Sequence, residues 1–202
     1  MSGDHYFSPS PQSEESRHPV SMTLAGREVT LSVPSGTFSA DGLDRGTQVL
    51  LNTAPTPPAE GLLVDVGCGW GPIALSLALH SPHASVWAID VNDRARHATR
   101  DNAEALGLEN LHACSPEEFP TDKTIDLIWS NPPIRIGKAA LHELLTTWLN
   151  RLGPGGEAWL VVAKQLGSDS LQRWINDGGA GAFLAERMDT DKGYRVLRVT
   201  RA

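Results

Sequence analysis

The chain has 202 residues, of which 40% are hydrophobic and 20% are charged, and its formal net charge at pH 7 is -7. This length suits one α/β domain with a substantial core and is too short for two full ones. The negative net charge argues against a globally basic nucleic-acid binder, although it does not exclude a local basic patch.

Membrane and metal chemistry are not expected. No apolar run approaches the roughly 18 residues that a membrane span requires. The first five residues show neither the basic nor the apolar region of a signal peptide, so the sequence predicts a cytoplasmic protein. Cys68 and Cys114 have no metal-ligand spacing and support no disulfide framework, so we expect two reduced thiols.

The first sixty residues form a polar arm followed by a β-rich segment. Residues 1–20 are rich in Pro and Ser and predict a flexible arm. Residues 21–33 alternate apolar and polar side chains around Gly26, which is typical of a hairpin. Residues 41–53 can form a helix that the prolines after it end. We therefore expect residues 21–60 to be an entry segment packed on a larger domain.

From residue 61 to 202, β-prone and helical patterns alternate, which predicts a parallel doubly wound sheet. The predicted fold is α/β and Rossmann-like, with seven mostly parallel strands, an antiparallel edge hairpin and a short N-terminal β extension. The predicted strands are 62–66, 85–89, 110–114, 125–130, 158–163, 182–189 and 194–199. The predicted helices are 73–79, 92–106, 138–152 and 168–176, the third ended by the glycine-rich run 153–156.

A glycine loop predicts a nucleotide-type cofactor. The run 67–71, Gly-Cys-Gly-Trp-Gly, follows the first strand of the sheet and opens a helix. Glycines there permit a tight turn and a close approach of a ligand to the backbone, beside the free N–H groups of the helix N-terminus. Asp90 ends the next strand, where a carboxylate can accept the hydroxyls of a ribose.

Two details favour S-adenosylmethionine over a dinucleotide. The loop reads G-x-G-x-G followed by Pro72, which differs from the G-x-G-x-x-G of a pyrophosphate loop. Asp65 would repel a pyrophosphate, but it could attract the ammonium of a methionine moiety directly or through water. Asp65 and Asp90 could instead be ordinary cap or turn residues. A dehydrogenase is therefore a distant alternative.

A second motif, Asn131-Pro132-Pro133, follows the fourth strand of the sheet. The Asn131 side-chain oxygen and the Pro132 carbonyl can each accept one N–H of a planar amine, which would hold its nitrogen for an in-line methyl transfer. The prolines fix φ and have no N–H of their own. The purely structural alternative is a rigid strand-to-helix turn with Asn131 as a helix cap.

These motifs resemble a class I S-adenosylmethionine-dependent methyltransferase. The segment 34–51, Pro-Ser-Gly-Thr-Phe-Ser-Ala-Asp-Gly-Leu-Asp-Arg-Gly-Thr-Gln-Val-Leu-Leu, resembles the entry segment of the "methyltransferase small domain" group. Within that group it is most similar to small-subunit ribosomal RNA guanine-N2 methyltransferases. The run 131–138 (N-P-P-I-R-x-G-K) and the tail 193–198 carry the same resemblance.

The resemblance implies roles for particular residues. The glycine loop and Asp65 would line the methionine part of the cofactor, and Asp90 would hold its ribose. Phe38, Asp44, Gly46 and Thr47 would lie over the site. The expected cofactor residues are Thr47, Asp65, Gly67, Cys68, Gly69, Gly71, Asp90, Val91, Ser115 and Asn131. The expected catalytic residues are Asn131, Pro132 and Pro133, and the expected substrate residues are Phe38, Ile134, Arg135, Lys138 and Lys164.

The chain departs from the family pattern in two ways. Many amine methyltransferases have an aromatic residue after N-P-P that stacks on the target base, but here Ile134 offers only apolar contact. Phe38, or Tyr6 or Phe7 of the arm, could supply the stacking. Bacterial relatives often carry a second, degenerate N-terminal domain for RNA docking, and 202 residues are too few to include it.

A basic rim near the strand ends could bind RNA phosphates, although scattered surface charge explains the same residues equally well. Its candidates are Arg135, Lys138, Lys164, Arg173, Arg195 and Arg198. The leading hypothesis is methylation of a guanine amine in ribosomal RNA, with that RNA or a ribosomal subunit as partner. Alternatives keep the chemistry with an adenine amine, a protein glutamine amide or a small molecule, or make the chain a non-catalytic cofactor-binding or RNA-binding module.

Overall fold

A computed structural model describes residues 16–35, 39 and 42–202 of the chain. Phe38, Tyr6 and Phe7, and most of the predicted arm, lie outside the described residues. The described strands are β1 (Arg17–Leu24), β2 (Arg27–Pro34), β3 (Leu62–Val66), β4 (Ser85–Ile89), β5 (Leu111–Cys114), β6 (Ile125–Ser130), β7 (Leu152–Ala163), β8 (Phe183–Asp191) and β9 (Tyr194–Arg201). The described helices are α1 (Arg45–Thr53), α2 (Pro72–His80), α3 (Asp93–Ala105), α4 (Lys138–Leu149) and α5 (Ser168–Asn176).

The N-terminal hairpin is longer than the sequence predicts. Ala25 and Gly26 both have positive φ, 50° and 73°, which is the type I′ turn that suits a two-residue hairpin loop. This turn fixes a register in which β1 and β2 pair over their full length. Residues 17–20, assigned to a flexible arm from their polarity, therefore belong to a paired strand, and that part of the prediction is wrong.

The hairpin is attached to the larger sheet domain through α3. The side-chain amide of Asn102 bonds both backbone groups of Ser32, accepting from its N–H at 2.8 Å and donating to its carbonyl at 3.1 Å. Leu24, Leu31 and Val33 are buried in the same apolar cluster. The hairpin therefore packs on the sheet domain, and the division of the chain near residue 60 stays a prediction.

The main sheet confirms the predicted fold. Its strand order is β5-β4-β3-β6-β7-β9-β8, with the first five strands parallel and β9 antiparallel to both of its neighbours. The chain winds outward from β3 to β5 and then returns to β6, so the order reverses between β3 and β6. Ligands of open α/β sheets bind at the carboxyl ends of the strands at such a switch point.

The largest difference from the predicted strand boundaries is the start of β7. The sequence predicts a helix to residue 152, a glycine stop and a strand from 158, but α4 ends at Leu149 and β7 begins at Leu152. The glycines allow the strand to begin early, because a Cβ on Gly156 would lie 2.7 Å from the Ile125 carbonyl oxygen of β6. The pairing of β6 and β7 shifts register at this point.

Aromatic side chains fill the core on both faces of the sheet. Trp70, Trp129, Trp148 and Trp159 are buried, whereas Trp87 and Trp174 are half-buried. In the described part of the chain, none of the helices has the length and apolar character needed to cross a membrane.

Candidate active site

A cavity of about 500 Å³ opens at the carboxyl ends of β3, β4 and β6. Its walls come from the glycine loop, the first turn of α1, the turn after β6 and the start of β9. The switch point of the sheet therefore brings both sequence motifs to one cavity.

The glycine loop is held against β4 in a conformation that only glycine adopts easily. The N–H groups of Gly67 and Cys68 both donate to the Ile89 carbonyl, at 2.8 and 3.0 Å. Gly71 has φ of 100°, and a Cβ there would lie 2.9 Å from the Thr99 side chain. Gly67, Cys68 and Gly69 line the cavity, whereas Gly71 lies behind it as the N-cap of α2.

Asp90 lines the cavity and also braces the loop. Its carboxylate accepts the N–H of Gly69 and the N–H of Asn92, each at 2.9 Å. Burial raises the pKa of Asp90, an effect that these backbone N–H bonds and the charge of Arg96 partly offset. A carboxylate has about four acceptor positions, so Asp90 keeps capacity for the hydroxyls of a ribose. Val91, the next residue, also lines the cavity and is exposed.

Asp65 lies beneath the loop and does not line the cavity. It is fully buried, and one carboxylate oxygen accepts the Ala74 N–H of α2 at 3.0 Å. Its other oxygen, Oδ1, has no hydrogen-bond partner among the described residues. Burial, and secondarily the charge of Asp90, raises the pKa of Asp65 well above its ordinary value. Of the two roles predicted for Asp65, this position favours attraction through water over direct contact with an ammonium.

The turn after β6 presents hydrogen-bond acceptors to the cavity. Pro133 has φ of -73° and ψ of 76°, the geometry of an inverse γ-turn. The Ile134 N–H donates to the Pro132 carbonyl at 2.8 Å, so one lone pair of that oxygen is used and one remains. Asn131, Pro132 and Pro133 all line the cavity.

The side chain of Asn131 is bound by the N-cap and first turn of α1, whose Asp44 and Thr47 also line the cavity. Its Nδ2 donates to Asp44 Oδ2 at 2.8 Å and to Thr47 Oγ1 at 3.1 Å. Asp44 is the N-cap of α1, and the same carboxylate oxygen accepts the N–H groups of Gly46 and Thr47. Thr47, predicted as a cofactor residue, thus lines the cavity and contacts the turn after β6.

Tyr194 is an aromatic residue of the cavity wall that the sequence analysis did not assign to the site. Its side chain is half-buried, and burial together with the nearby charge of Asp44 raises its pKa. Ala163, the last residue of β7, pairs with Tyr194, the first residue of β9. An antiparallel strand begins beside the carboxyl end of its parallel neighbour. The position of Tyr194 at the start of β9 could therefore have placed it near the cavity.

The remaining candidates divide between the cavity and the surface. Ile134 and Arg135 line the cavity on a single 3-10 turn. Lys138 and Lys164 are exposed and lie outside its wall. Ser115 is also outside the wall, because its N–H is turned to the Glu118 carboxylate at 2.8 Å.

The predicted basic rim is partly neutralised. Arg195 forms an ion pair with Asp169, and Arg198 bonds Glu157 at 2.6 Å. This leaves Arg135, Lys138, Lys164 and Arg173 as the exposed cations of the predicted rim. The described residues contain no cluster of three side chains suited to a metal ion.

Known proteins identify the family. Residues 28–198 match the family model "Methyltransferase small domain". The uncharacterised protein YbxB of Bacillus subtilis is 35% identical over 198 residues, which cover 96% of this chain and 97% of that protein. The chain belongs to the methyltransferase small domain family.

Some relatives carry more specific names. Ribosomal RNA small subunit methyltransferase C of Salmonella choleraesuis is 38% identical over 138 residues, or 66% of this chain. The match spans about 40% of the length of that relative.

Two solved structures share the fold. A T. thermophilus 16S rRNA guanine-N2 methyltransferase, solved with AdoMet and guanosine, is similar with a TM-score of 0.74 and 22% identity, over 95% of this chain and 52% of that one. A ribosomal protein L11 methylase of Lactobacillus delbrueckii has a TM-score of 0.62 and 20% identity, over 79% of this chain and 84% of that one.

The cofactor of this methyltransferase family is S-adenosylmethionine, and the site of this chain fits it. The cavity brings backbone N–H groups of the glycine loop and the Asp90 carboxylate to one wall. The unpartnered Asp65 Oδ1 lies beneath that loop, where buried polar atoms are normally bonded. A water molecule that bridges to the methionine ammonium would supply the missing partner.

Proposed function

We propose that this chain transfers the methyl group of S-adenosylmethionine to a primary exocyclic amine, and that the acceptor is guanine N2 in small-subunit ribosomal RNA. The observation that carries the proposal is the acceptor-only turn at Asn131-Pro132-Pro133 in the same cavity as the glycine loop.

The turn suits a group with two N–H bonds. Both protons of the Asn131 amide are used by Asp44 and Thr47, and the prolines have no N–H. The atoms of the turn that are left to accept a substrate N–H are the Asn131 Oδ1 and the second lone pair of the Pro132 carbonyl. A primary amine or amide donates to both, whereas a hydroxyl has a single proton and satisfies one.

The cofactor supplies an electrophilic methyl carbon, and the residues of the chain position the nitrogen that attacks it. Hydrogen bonds from both N–H groups hold the nitrogen and favour a pyramidal geometry in which its lone pair leaves the π-system. The nitrogen gains the methyl group, the sulfur–methyl bond breaks, and one proton leaves the nitrogen to solvent.

The same geometry favours a monomethylated product. After one transfer the nitrogen has a single N–H, so it satisfies only one of the two acceptors. A second transfer would begin from a less firmly held nitrogen, and it is therefore expected to be slower.

The choice of ribosomal RNA draws on the named relatives and on the rim of the cavity. The exposed cations Arg135 and Lys138 lie just after the Asn131-Pro132-Pro133 turn in the sequence. They suit contacts to RNA phosphates, which give affinity without recognising the base sequence. Tyr194 offers the aromatic surface that Ile134 lacks, and base stacking on such a side chain is worth about 1–3 kcal/mol.

A protein glutamine amide is the second candidate acceptor. It is also a planar nitrogen with two N–H bonds, so the same turn would hold it. The net charge of -7 favours a protein acceptor over an RNA acceptor.

The test is methylation of small-subunit RNA and of ribosomal protein by the purified chain, with cofactor labelled on the methyl group. RNA is offered both naked and as assembled subunits, and labelled nucleosides are separated. Label in N2-methylguanosine supports the proposal. Label in N6-methyladenosine or in glutamine contradicts the guanine assignment and keeps the chemistry.

A further inference from the structure

We propose that Asp44 is a positioning residue, which acts with Thr47 to fix the amide of Asn131 so that its oxygen faces the target amine. The inference rests on the proposed function, because it assigns Asn131 Oδ1 as the acceptor of a substrate N–H. It adds a role for a residue of α1, far from the catalytic turn in sequence.

The orientation of the amide follows from the chemistry of its neighbours. A carboxylate can only accept hydrogen bonds, so the Asn131 atom that lies 2.8 Å from Asp44 Oδ2 must be the nitrogen. Rotating the amide by half a turn would set its oxygen against the carboxylate and leave two acceptors in contact. Thr47 Oγ1, 3.1 Å from the same nitrogen, favours the same orientation.

Asp44 is itself held in place. Its Oδ2 accepts the N–H groups of Gly46 and Thr47 at 2.7 and 3.1 Å, so the first turn of α1 fixes the carboxylate. The positive end of the helix dipole attracts the carboxylate there. Thr47 is only 4% exposed, which limits competition from water at the second contact.

This arrangement should act on the transition state more than on binding. Positive charge develops on the target nitrogen as it takes the methyl group. A fixed carboxylate behind Asn131 polarises the amide and increases the negative charge on the Oδ1 that faces this nitrogen. We therefore expect loss of Asp44 to lower kcat, with a small effect on KM and on cofactor affinity.

Two substitutions separate positioning from helix capping. Asp44→Ser keeps an N-cap side chain but is too short to reach Asn131. Asp44→Asn keeps an oxygen for both the cap and Asn131 and removes the charge. Asp122→Ser, at an exposed acid in the loop before β6, is the matched control for loss of one surface carboxylate.

For Asp44→Ser we expect kcat on RNA to fall about tenfold or more, while KM, cofactor Kd and Tm stay near those of Asp122→Ser. Asp44→Asn should recover a large part of the loss. The inference is overturned if Asp44→Ser keeps full kcat. It is equally overturned if its loss appears as weaker cofactor binding or a lower Tm that Asp44→Asn does not relieve.

A spectroscopic readout distinguishes failure of this inference from failure of the proposed function. The side-chain NH₂ signals of Asn131, assigned with Asn131→Ala in ¹⁵N-labelled protein, should exchange slowly with solvent in the wild type and quickly in Asp44→Ser. If those signals behave so but no RNA is methylated, the positioning stands and the acceptor assignment fails. If they exchange quickly in the wild type, the positioning fails whatever the substrate.

Discussion

Asn131 and Asp44, 87 residues apart in sequence, are joined by a hydrogen bond of 2.8 Å between the amide nitrogen and the carboxylate. The bond connects the turn after β6 to the first turn of α1. The entry segment thus contributes residues to the wall of the cavity and also packs on the sheet domain. Five predictions extend from this connection to the residues of the cofactor loop and to the aromatic side chain of the cavity wall.

Removing the Asn131 side chain should abolish most turnover and leave the cofactor in place. Asn131→Ala takes away an acceptor aimed at the reacting nitrogen, and loss of one such preorganised group typically lowers kcat by about 10²-fold or more. Steady-state kinetics and cofactor titration check both parts. Asn150→Ala, at the C-cap of α4, is the control. A parallel loss of cofactor affinity would instead make Asn131 a cofactor residue.

Gly46 should not tolerate a methyl group. Its Cβ would lie 2.9 Å from both Asp44 Oδ2 and Tyr194 Cε1, so Gly46→Ala must displace one wall of the cavity. We expect lower kcat and a Tm several degrees below the wild type. Gly153→Ala, whose Cβ would meet its nearest neighbour at 3.4 Å, is the matched control. If the two variants behave alike, the close approach at Gly46 is unimportant.

The burial of Asp65 predicts a pH dependence of stability. Its folded pKa is raised, so its contribution to stability is complete below the ordinary aspartate pKa and is lost as pH rises through the raised value. Asp65→Asn keeps an oxygen for the Ala74 N–H and has no charge to bury. Its free energy of unfolding relative to the wild type should therefore increase with pH across this window, as measured by urea unfolding.

The affinity for the cofactor should depend on the ionisation of Asp65 in the opposite direction to stability. A cationic methionine group favours the ionised carboxylate, so wild-type affinity should weaken as pH falls through the raised pKa. In Asp65→Asn this part of the pH dependence should disappear. A flat wild-type profile would mean that Asp65 does not sense the cofactor.

Tyr194 should contribute its ring more than its hydroxyl. Tyr194→Phe keeps the aromatic surface against the cavity and is expected to stay within about threefold of wild-type KM for RNA. Tyr194→Leu fills the contact with Gly46 but cannot stack on a base. Loss of a stacking free energy of about 1–3 kcal/mol corresponds to a KM increase of about 5- to 150-fold. Equal KM values for the two variants would remove Tyr194 from the base-binding surface.

The sheet could be predicted from the sequence because its strands are short β-prone runs bounded by clear turn residues. The helix predicted over 92–106 likewise differs from α3 by one residue at each end. The predicted start of β7 was wrong. Glycines usually end a secondary-structure element, but here Gly156 permits close backbone pairing with β6.

The site was harder to predict wherever it depends on contacts between distant elements. Both motifs were placed correctly at the cavity, since carboxyl ends of adjacent parallel strands meet at one edge. The depth of Asp65 beneath the loop, the bond from Asn131 to Asp44 and the approach of Tyr194 to Gly46 depend on how α1 and β9 dock. No periodicity or local spacing encodes that docking.

The measurement that tests the central claim most directly is transfer of labelled methyl from S-adenosylmethionine to small-subunit ribosomal RNA, compared between the wild type and Asn131→Ala. We predict label in N2-methylguanosine with the wild type and its near loss with Asn131→Ala, while both chains bind the cofactor equally. Label in another nucleoside or in protein, or equal labelling by the two chains, would contradict the proposal that this turn holds a guanine amine.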